Sequence, residues 1–153
     1  MTREVVALPV FVLVTFLAAV PGALWPPGDW YAGLEKPAWN PPAWVFGPAW
    51  TLLYTLMAVA AWLVWRRGGF RVQRRPLTLY CVQLALNAAW TPVFFGAQEP
   101  GWALLVILAL WALLLATLLV FRRTSGPAAL LLVPYLAWVS FAAALNCALW
   151  RLN

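Results

Sequence analysis

Five long apolar stretches dominate this chain of 153 residues and limit what it can fold into. A transmembrane α-helix needs about 20 consecutive, mostly apolar residues to cross roughly 30 Å of hydrocarbon. The stretches cover residues 5–25, 44–65, 77–96, 102–121 and 128–150. The loops between the later stretches are short, which makes successive helices antiparallel neighbours. We therefore predict an all-α integral membrane bundle of five transmembrane helices, forming a single domain over residues 1–153.

The composition argues against several other classes of protein. Hydrophobic residues make up 65% of the chain, charged residues only 9%, and His is absent. A soluble core of this size could not bury so much apolar surface. The net charge of +6 comes from loops and ends, so a nucleic-acid partner is a poor explanation for it. Cys81 and Cys147 lie in apolar stretches and are too few for a structural zinc site, so we expect no disulfide, metal or cofactor.

The basic residues predict how the helices are oriented in the membrane. With five spans, one side of the membrane carries eight of the ten basic residues: Arg3, Arg66, Arg67, Arg71, Arg74, Arg75, Arg122 and Arg123. The other side carries Lys36 and Arg151. Because Lys and Arg accumulate in cytoplasmic loops, we expect a cytoplasmic N terminus and residues 26–43 outside. Hydrophobic helices with this bias favour a bacterial cytoplasmic (inner) membrane.

The loop after the first stretch is rich in proline and tryptophan. Residues 37–50 read P-A-W-N-P-P-A-W-V-F-G-P-A-W. Proline fixes φ and lacks an N–H donor, so residues 37–42 should form an extended or turning loop. A helix can begin at about Ala43, with Pro48 near its first turn. We predict that residues 26–43 form a stiff lid over a site among the helices. The alternative for any one of these tryptophans is an interfacial aromatic belt.

Aromatic and polar residues recur at helical spacing in three of the predicted spans. The second span carries Phe46, Trp50 and Tyr54, the third carries Gln83, Asn87, Trp90, Thr91 and Phe94, and the fifth carries Tyr135, Trp138, Ala142 and Asn146. Amides are costly in hydrocarbon unless they find partners, so these faces should point inward. The loop adds Trp30, Tyr31 and Trp39. Bulky inward rings with few amides predict a pocket for a flat apolar ligand. The alternative is that these residues only hold the helices together.

Several motifs resemble those of the TspO/MBR family, which comprises the bacterial tryptophan-rich sensory proteins and the mitochondrial translocator protein (peripheral-type benzodiazepine receptor). They are W-Y at residues 30–31, K-P-A-W-N-P-P-A-W-V-F at 36–46, W-T-L-L-Y at 50–54, Q-L-A-L-N-A-A-W-T-P-V-F-F at 83–95, V-P-Y-L-A-W at 133–138 and L-N-C-A-L-W-R at 145–151. The resemblance covers nearly the whole chain. It implies a five-helix bundle, commonly dimeric, with a ligand pocket under the loop between the first two helices.

The resemblance also implies ligands and binding residues. Family members bind porphyrins such as protoporphyrin IX, and the mitochondrial branch also binds cholesterol and benzodiazepine-type ligands. The pocket positions carried over by motif are Trp39, Phe46, Trp50, Tyr54, Asn87, Trp90, Trp138 and Ala142. One departure concerns the cholesterol motif near residue 150, where Cys147 stands in place of Tyr. We therefore expect poor cholesterol recognition through this segment.

Three functions are consistent with these features. The first is a receptor or translocator for porphyrin-type tetrapyrroles in tetrapyrrole handling or stress sensing, with Asn87, Gln83 and Asn146 as polar contacts. The second is an enzyme that degrades bound porphyrin in light, using Trp90 or Trp138 as a redox-active ring. The third is a ligand-responsive partner of another membrane protein, contacted through the basic loop at residues 66–75. Small residues on the third span suggest either a homodimer interface or internal helix packing.

Overall fold

The computed structural model describes residues 2–153. All regular secondary structure within that range is helical. Met1 and the side chains of Thr2 and Arg3, including the basic group counted above, lie outside the described residues. The α-helices in chain order are α1 Thr2–Leu17, α2 Val20–Leu24, α3 Asp29–Gly33, α4 Phe46–Trp65, α5 Gly69–Val72, α6 Arg74–Thr91, α7 Pro100–Thr124 and α8 Gly126–Leu152. A 3₁₀ turn at Ala43–Val45 leads into α4, and a π turn at Pro92–Gly96 ends α6.

Within residues 2–153, four helical segments are long and apolar enough to cross a membrane. They are Ala43–Trp65, Arg74–Gly96, Pro100–Thr124 and Gly126–Leu152. They correspond to the second to fifth predicted spans, so the protein is an all-α integral membrane protein. The expected helix start at about Ala43 is also confirmed.

The first predicted span is interrupted. The chain turns at Ala18 and Ala19, between α1 and the short helix α2. Pro21 explains the break, because its ring lacks an N–H and would clash with the carbonyl of Leu17 one turn earlier. The apolar segment Glu4–Leu17 is by itself shorter than the other four. A fifth membrane span built from α1 and α2 together therefore remains a prediction.

The helices form a ring around an interior space. Helix α1 packs on α4, α4 on α8, α8 on α7 and α7 on α6, while α2 contacts α6. In α4, Ala58, Ala60 and Ala61 are fully buried, which lets neighbouring helices approach closely. Gly96 lies at the contact between α2 and the end of α6, where an added Cβ would come within 2.9 Å of the Trp25 ring.

The amide side chains of the third and fifth predicted spans face inward, as predicted. Gln83, Asn87 and Asn146 are all buried. The Tyr54 hydroxyl donates to Asn87 Oδ1 at 2.8 Å, and Asn87 Nδ2 donates to the Tyr135 hydroxyl at 2.8 Å. Tyr135 in turn donates to Gln83 Oε1 at 3.0 Å. Asn87 therefore links α4, α6 and α8 at the centre of the bundle.

Asn87 and Gln83 should differ in their contribution to stability. Asn87→Leu leaves the Tyr54 hydroxyl without its acceptor, and we expect it to lower the free energy of unfolding by about 1–3 kcal/mol. Gln83→Leu also removes an acceptor, but it eliminates the buried Gln83 Nε2, which has no hydrogen-bond partner among the described residues. We expect a loss below about 1 kcal/mol for Gln83→Leu. Thermal unfolding in detergent compares the two variants, and equal losses would contradict this account of the network.

Candidate functional site

A cavity of about 900 Å³ occupies the interior of the ring, beneath the loop at residues 26–43. This volume lies towards the upper end of the range for small-molecule sites, roughly 300–1,000 Å³. Ten of the twelve residues predicted from the sequence line it: Tyr31, Phe46, Trp50, Tyr54, Asn87, Trp90, Phe94, Trp138, Ala142 and Asn146. Nine of these ten residues were predicted from helical periodicity, and Tyr31 was predicted from the loop.

One wall of the cavity is aromatic and comes from α4 and α8. The Trp50 ring stacks on Tyr54 with centroids 5.3 Å apart and meets Trp138 edge to face at 6.4 Å. Phe46 packs against Trp138 at 5.9 Å, also edge to face. These contacts hold the rings in fixed orientations before any ligand arrives. Flat, preformed aromatic surfaces favour a flat ligand that can stack on or against them.

The facing wall comes from the end of α6. Trp90 stacks on Phe94 with centroids 4.8 Å apart, and Phe95 meets Trp90 edge to face at 5.9 Å. Trp90 Nε1 donates to Asn146 Oδ1 at 2.9 Å, and Asn146 Nδ2 donates to the Pro100 carbonyl at 2.8 Å. Asn146 thus uses its amide to position the Trp90 ring. The π turn at Pro92–Gly96 carries Phe94 and Phe95 to this wall.

Two predicted binding residues do not line the cavity. Trp39 is 49% exposed and packs its ring edge to face on Phe141 at 5.7 Å. Gln83 lies one helical turn from Asn87, and its Oε1 accepts a hydrogen bond from the Tyr135 hydroxyl. In this structure Trp39 therefore braces the loop against α8, and Gln83 supports the cavity through Tyr135. Direct ligand contact by either residue remains a prediction.

Several lining residues were missed from the sequence. Helix α2 and the segment after it supply Gly22, Trp25 and Pro27, and the loop supplies Lys36 and Asn40. The aliphatic lining residues of α7 carry no distinguishing pattern in an apolar helix. Lys36, in contrast, is the single lysine of the sequence and lies beside the Trp-Pro motif, which was a usable signal.

The loop at residues 26–43 borders one end of the cavity, and we call it the lid. It contains the short helix α3 followed by an extended segment. Lys36 Nζ donates to the carbonyls of Ala32 at 3.2 Å and Leu34 at 3.0 Å. Burial raises the pKa of the Tyr31 hydroxyl, while the nearby Asn40 side chain acts in the opposite direction. Tyrosine is already neutral near pH 7 at its ordinary pKa, so the Tyr31 oxygen carries no charge beside Lys36.

Comparison with known proteins agrees with this architecture. The TspO/MBR family profile matches residues 5–151. The chain belongs to the TspO/MBR family. Human "Translocator protein" is 50% identical over 126 residues, covering 81% of this chain and 75% of the human protein. The "Tryptophan-rich sensory protein" of Cereibacter sphaeroides is 45% identical over 144 residues, covering 91% and 89% of the two chains. The family assignment suggested by the Trp-Pro and α6 motifs is thus confirmed, and it makes this chain an integral membrane protein of a translocator and sensory family.

Proposed function

We propose that this protein is a membrane receptor or translocator for porphyrin-type tetrapyrroles such as protoporphyrin IX. The observation that carries the proposal is the 900 Å³ cavity between two preformed aromatic walls. The stacked rings of Trp50 and Tyr54 offer one aromatic surface, with Trp138 set edge to face against Trp50. The stacked rings of Trp90 and Phe94 offer another. Asn87 and Tyr54 supply polar contacts at the inner end. This combination of apolar walls and few polar groups suits a large, flat, hydrophobic ring system.

The proposal includes a route and a setting. Movement of residues 32–42 about Gly33 admits the ligand, with the basic loops in the cytoplasm and the lid outside a bacterial inner membrane. We propose a homodimer as the working unit, with the ligand handled or sensed in tetrapyrrole metabolism or stress. The basic loop at residues 66–75 is better explained as a topology anchor than as a partner site. Arg66 is already paired with Glu4 at 3.0 Å and lies over the Trp62 ring at 4.7 Å.

The test is a titration of the purified protein in detergent with protoporphyrin IX in the dark, followed by quenching of tryptophan fluorescence. We expect saturable quenching, because several tryptophans line the cavity and lie within energy-transfer range of a bound porphyrin. Micromolar affinity is reasonable for several stacked rings contributing roughly 0.5–1.5 kcal/mol each beyond burial. Quenching that rises linearly without saturation would overturn the proposal.

A second candidate function is light-dependent degradation of the bound porphyrin. Trp90 and Trp138 favour it, because both oxidisable rings line the cavity. The same titration under illumination separates the two functions. Bleaching with a defined product that is lost in Trp90→Phe or Trp138→Phe would support an enzyme. Binding without any product would leave the receptor function alone.

A further inference from the structure

The cavity lining has an unusual charge distribution for such an apolar site. Among the described residues that line it, Lys36 is the one that carries a charge. Neither acidic residue of the lid, Asp29 or Glu35, belongs to the lining. Lys36 therefore places a positive charge among the lining residues of a mostly apolar space. Such a site discriminates between ligands by charge as well as by shape.

The Lys36 ammonium is held in place by neutral groups. It donates to two main-chain carbonyls of the lid, at 3.2 and 3.0 Å, and lies 4.8 Å from the centre of the Tyr31 ring. An ammonium group has three N–H donors, so one remains available. Among the described side chains, the salt bridge joins Arg66 to Glu4, and Lys36 forms none. The lid thus presents a positioned cation whose charge has not been neutralised.

A second polar group of the lid also lacks a partner. Asn40 lines the cavity, and its Nδ2 donates to the Pro41 carbonyl at 3.3 Å. Its buried Oδ1 accepts no hydrogen bond from any described residue, although the Tyr31 hydroxyl lies near the Asn40 side chain. A buried acceptor without a donor is costly unless a ligand or a water bound with it supplies one. Lys36 and Asn40 both belong to the lid. The polar groups that still lack a hydrogen-bond partner therefore lie at the lid end of the cavity, away from Tyr54 and Asn87.

We propose that Lys36 is a specificity residue that pairs with a carboxylate on the rim of a flat apolar ligand. The ring body would lie between the Trp50–Trp138 wall and Trp90, and the acidic rim would point to the lid. Ligands with an acidic edge are then preferred over neutral ligands of the same shape. This inference rests on the proposed function, since it assigns the orientation and chemical class of the ligand in the same cavity.

The test compares protoporphyrin IX with its dimethyl ester, which has the same ring but no carboxylate. Both are titrated in the dark into wild type, Lys36→Gln, Lys36→Arg and Arg151→Gln. Arg151→Gln is the matched control, because it removes one exposed basic charge that does not line the cavity. Comparing the acid-to-ester affinity ratio between variants cancels differences in detergent partitioning. We expect the ratio in wild type to exceed that in Lys36→Gln by about tenfold, within the range of charge-assisted hydrogen bonds.

The possible outcomes test the role of Lys36 separately from the proposed porphyrin binding. Loss of acid affinity in Lys36→Gln, with the ester unaffected and the ratio retained in Lys36→Arg and Arg151→Gln, supports the inference. An equal ratio in wild type and Lys36→Gln, with saturable binding of both ligands, overturns the role of Lys36 and leaves the porphyrin receptor intact. If neither ligand saturates wild type, the proposed function fails and the inference fails with it. Lys36→Arg and the wild-type ratio remain informative even if Lys36→Gln does not fold.

Discussion

Trp50→Ala is expected to weaken protoporphyrin IX binding about tenfold, and Trp138→Ala should do the same. Each variant removes one of the two tryptophan rings of the α4–α8 wall, which meet at 6.4 Å. A tenfold loss corresponds to about 1.4 kcal/mol, consistent with the removal of one aromatic contact plus part of its buried area. Because these variants also remove a fluorescent reporter, the titration should follow the absorbance band of the porphyrin.

The matched control for this prediction is Trp44→Ala. Trp44 is 75% exposed, does not line the cavity and belongs to the same Trp-Pro segment. We expect its affinity to equal that of wild type. Trp50→Phe and Trp138→Phe retain a smaller ring and should lose roughly two- to fivefold, between the two extremes. Unchanged affinity in both phenylalanine variants and both alanine variants would remove the pocket assignment.

The sequence predicted the long helices well because membrane helices are recognised by length and apolarity alone. The spans of α4, α6, α7 and α8 follow from apolar runs bounded by short polar loops. The same criterion missed the break between α1 and α2, since Ala18, Ala19 and Pro21 bring no charged side chain that would interrupt an apolar stretch. The local signal for the break is Pro21, which lacks an N–H donor and whose ring clashes with the carbonyl one turn earlier.

The cavity was predictable where helical periodicity fixes the direction of side chains. Trp50 and Tyr54, or Asn87 and Trp90, share a face because they are three or four residues apart. Periodicity gives a face but not a depth, so Gln83 was grouped with Asn87 although it lies beneath the cavity. It gives nothing for a loop, so the outward position of Trp39 and the inward position of Lys36 required the three-dimensional structure.

The attachment of the lid to α8 is another feature that sequence patterns do not reveal. It leads to a prediction about the opening of the lid. Asn153 accepts from the Glu35 main-chain N–H at 2.9 Å and donates to the Glu35 carbonyl at 3.0 Å. These two residues are 118 positions apart in the chain. A third bond, from Asn153 Nδ2 to the Leu149 carbonyl at 2.9 Å, orients the amide. Asn153 therefore fastens the middle of the lid to the end of α8.

We expect Asn153→Ala to accelerate amide hydrogen exchange at Glu35 by about tenfold. The variant removes two lid hydrogen bonds, each contributing roughly 0.5–1.5 kcal/mol, and local opening governs exchange. Asn153→Asp is the graded control, because it keeps the acceptor for the Glu35 N–H and loses the donor. Its exchange rate should lie between those of wild type and Asn153→Ala. Thermal unfolding of the bundle should stay the same in all three, since Asn153 is exposed and outside the core.

Measuring porphyrin dissociation in the same variants then tests which way the ligand leaves. If the lid is the gate, dissociation from Asn153→Ala should accelerate in parallel with exchange at Glu35, because both require the same opening. If exchange accelerates while dissociation does not, the ligand leaves between helices, directly into the membrane. If Glu35 exchange itself is unchanged, the lid is held by the packing of Trp39 on Phe141 and not by Asn153. Trp39→Ala would then produce the acceleration that Asn153→Ala failed to give.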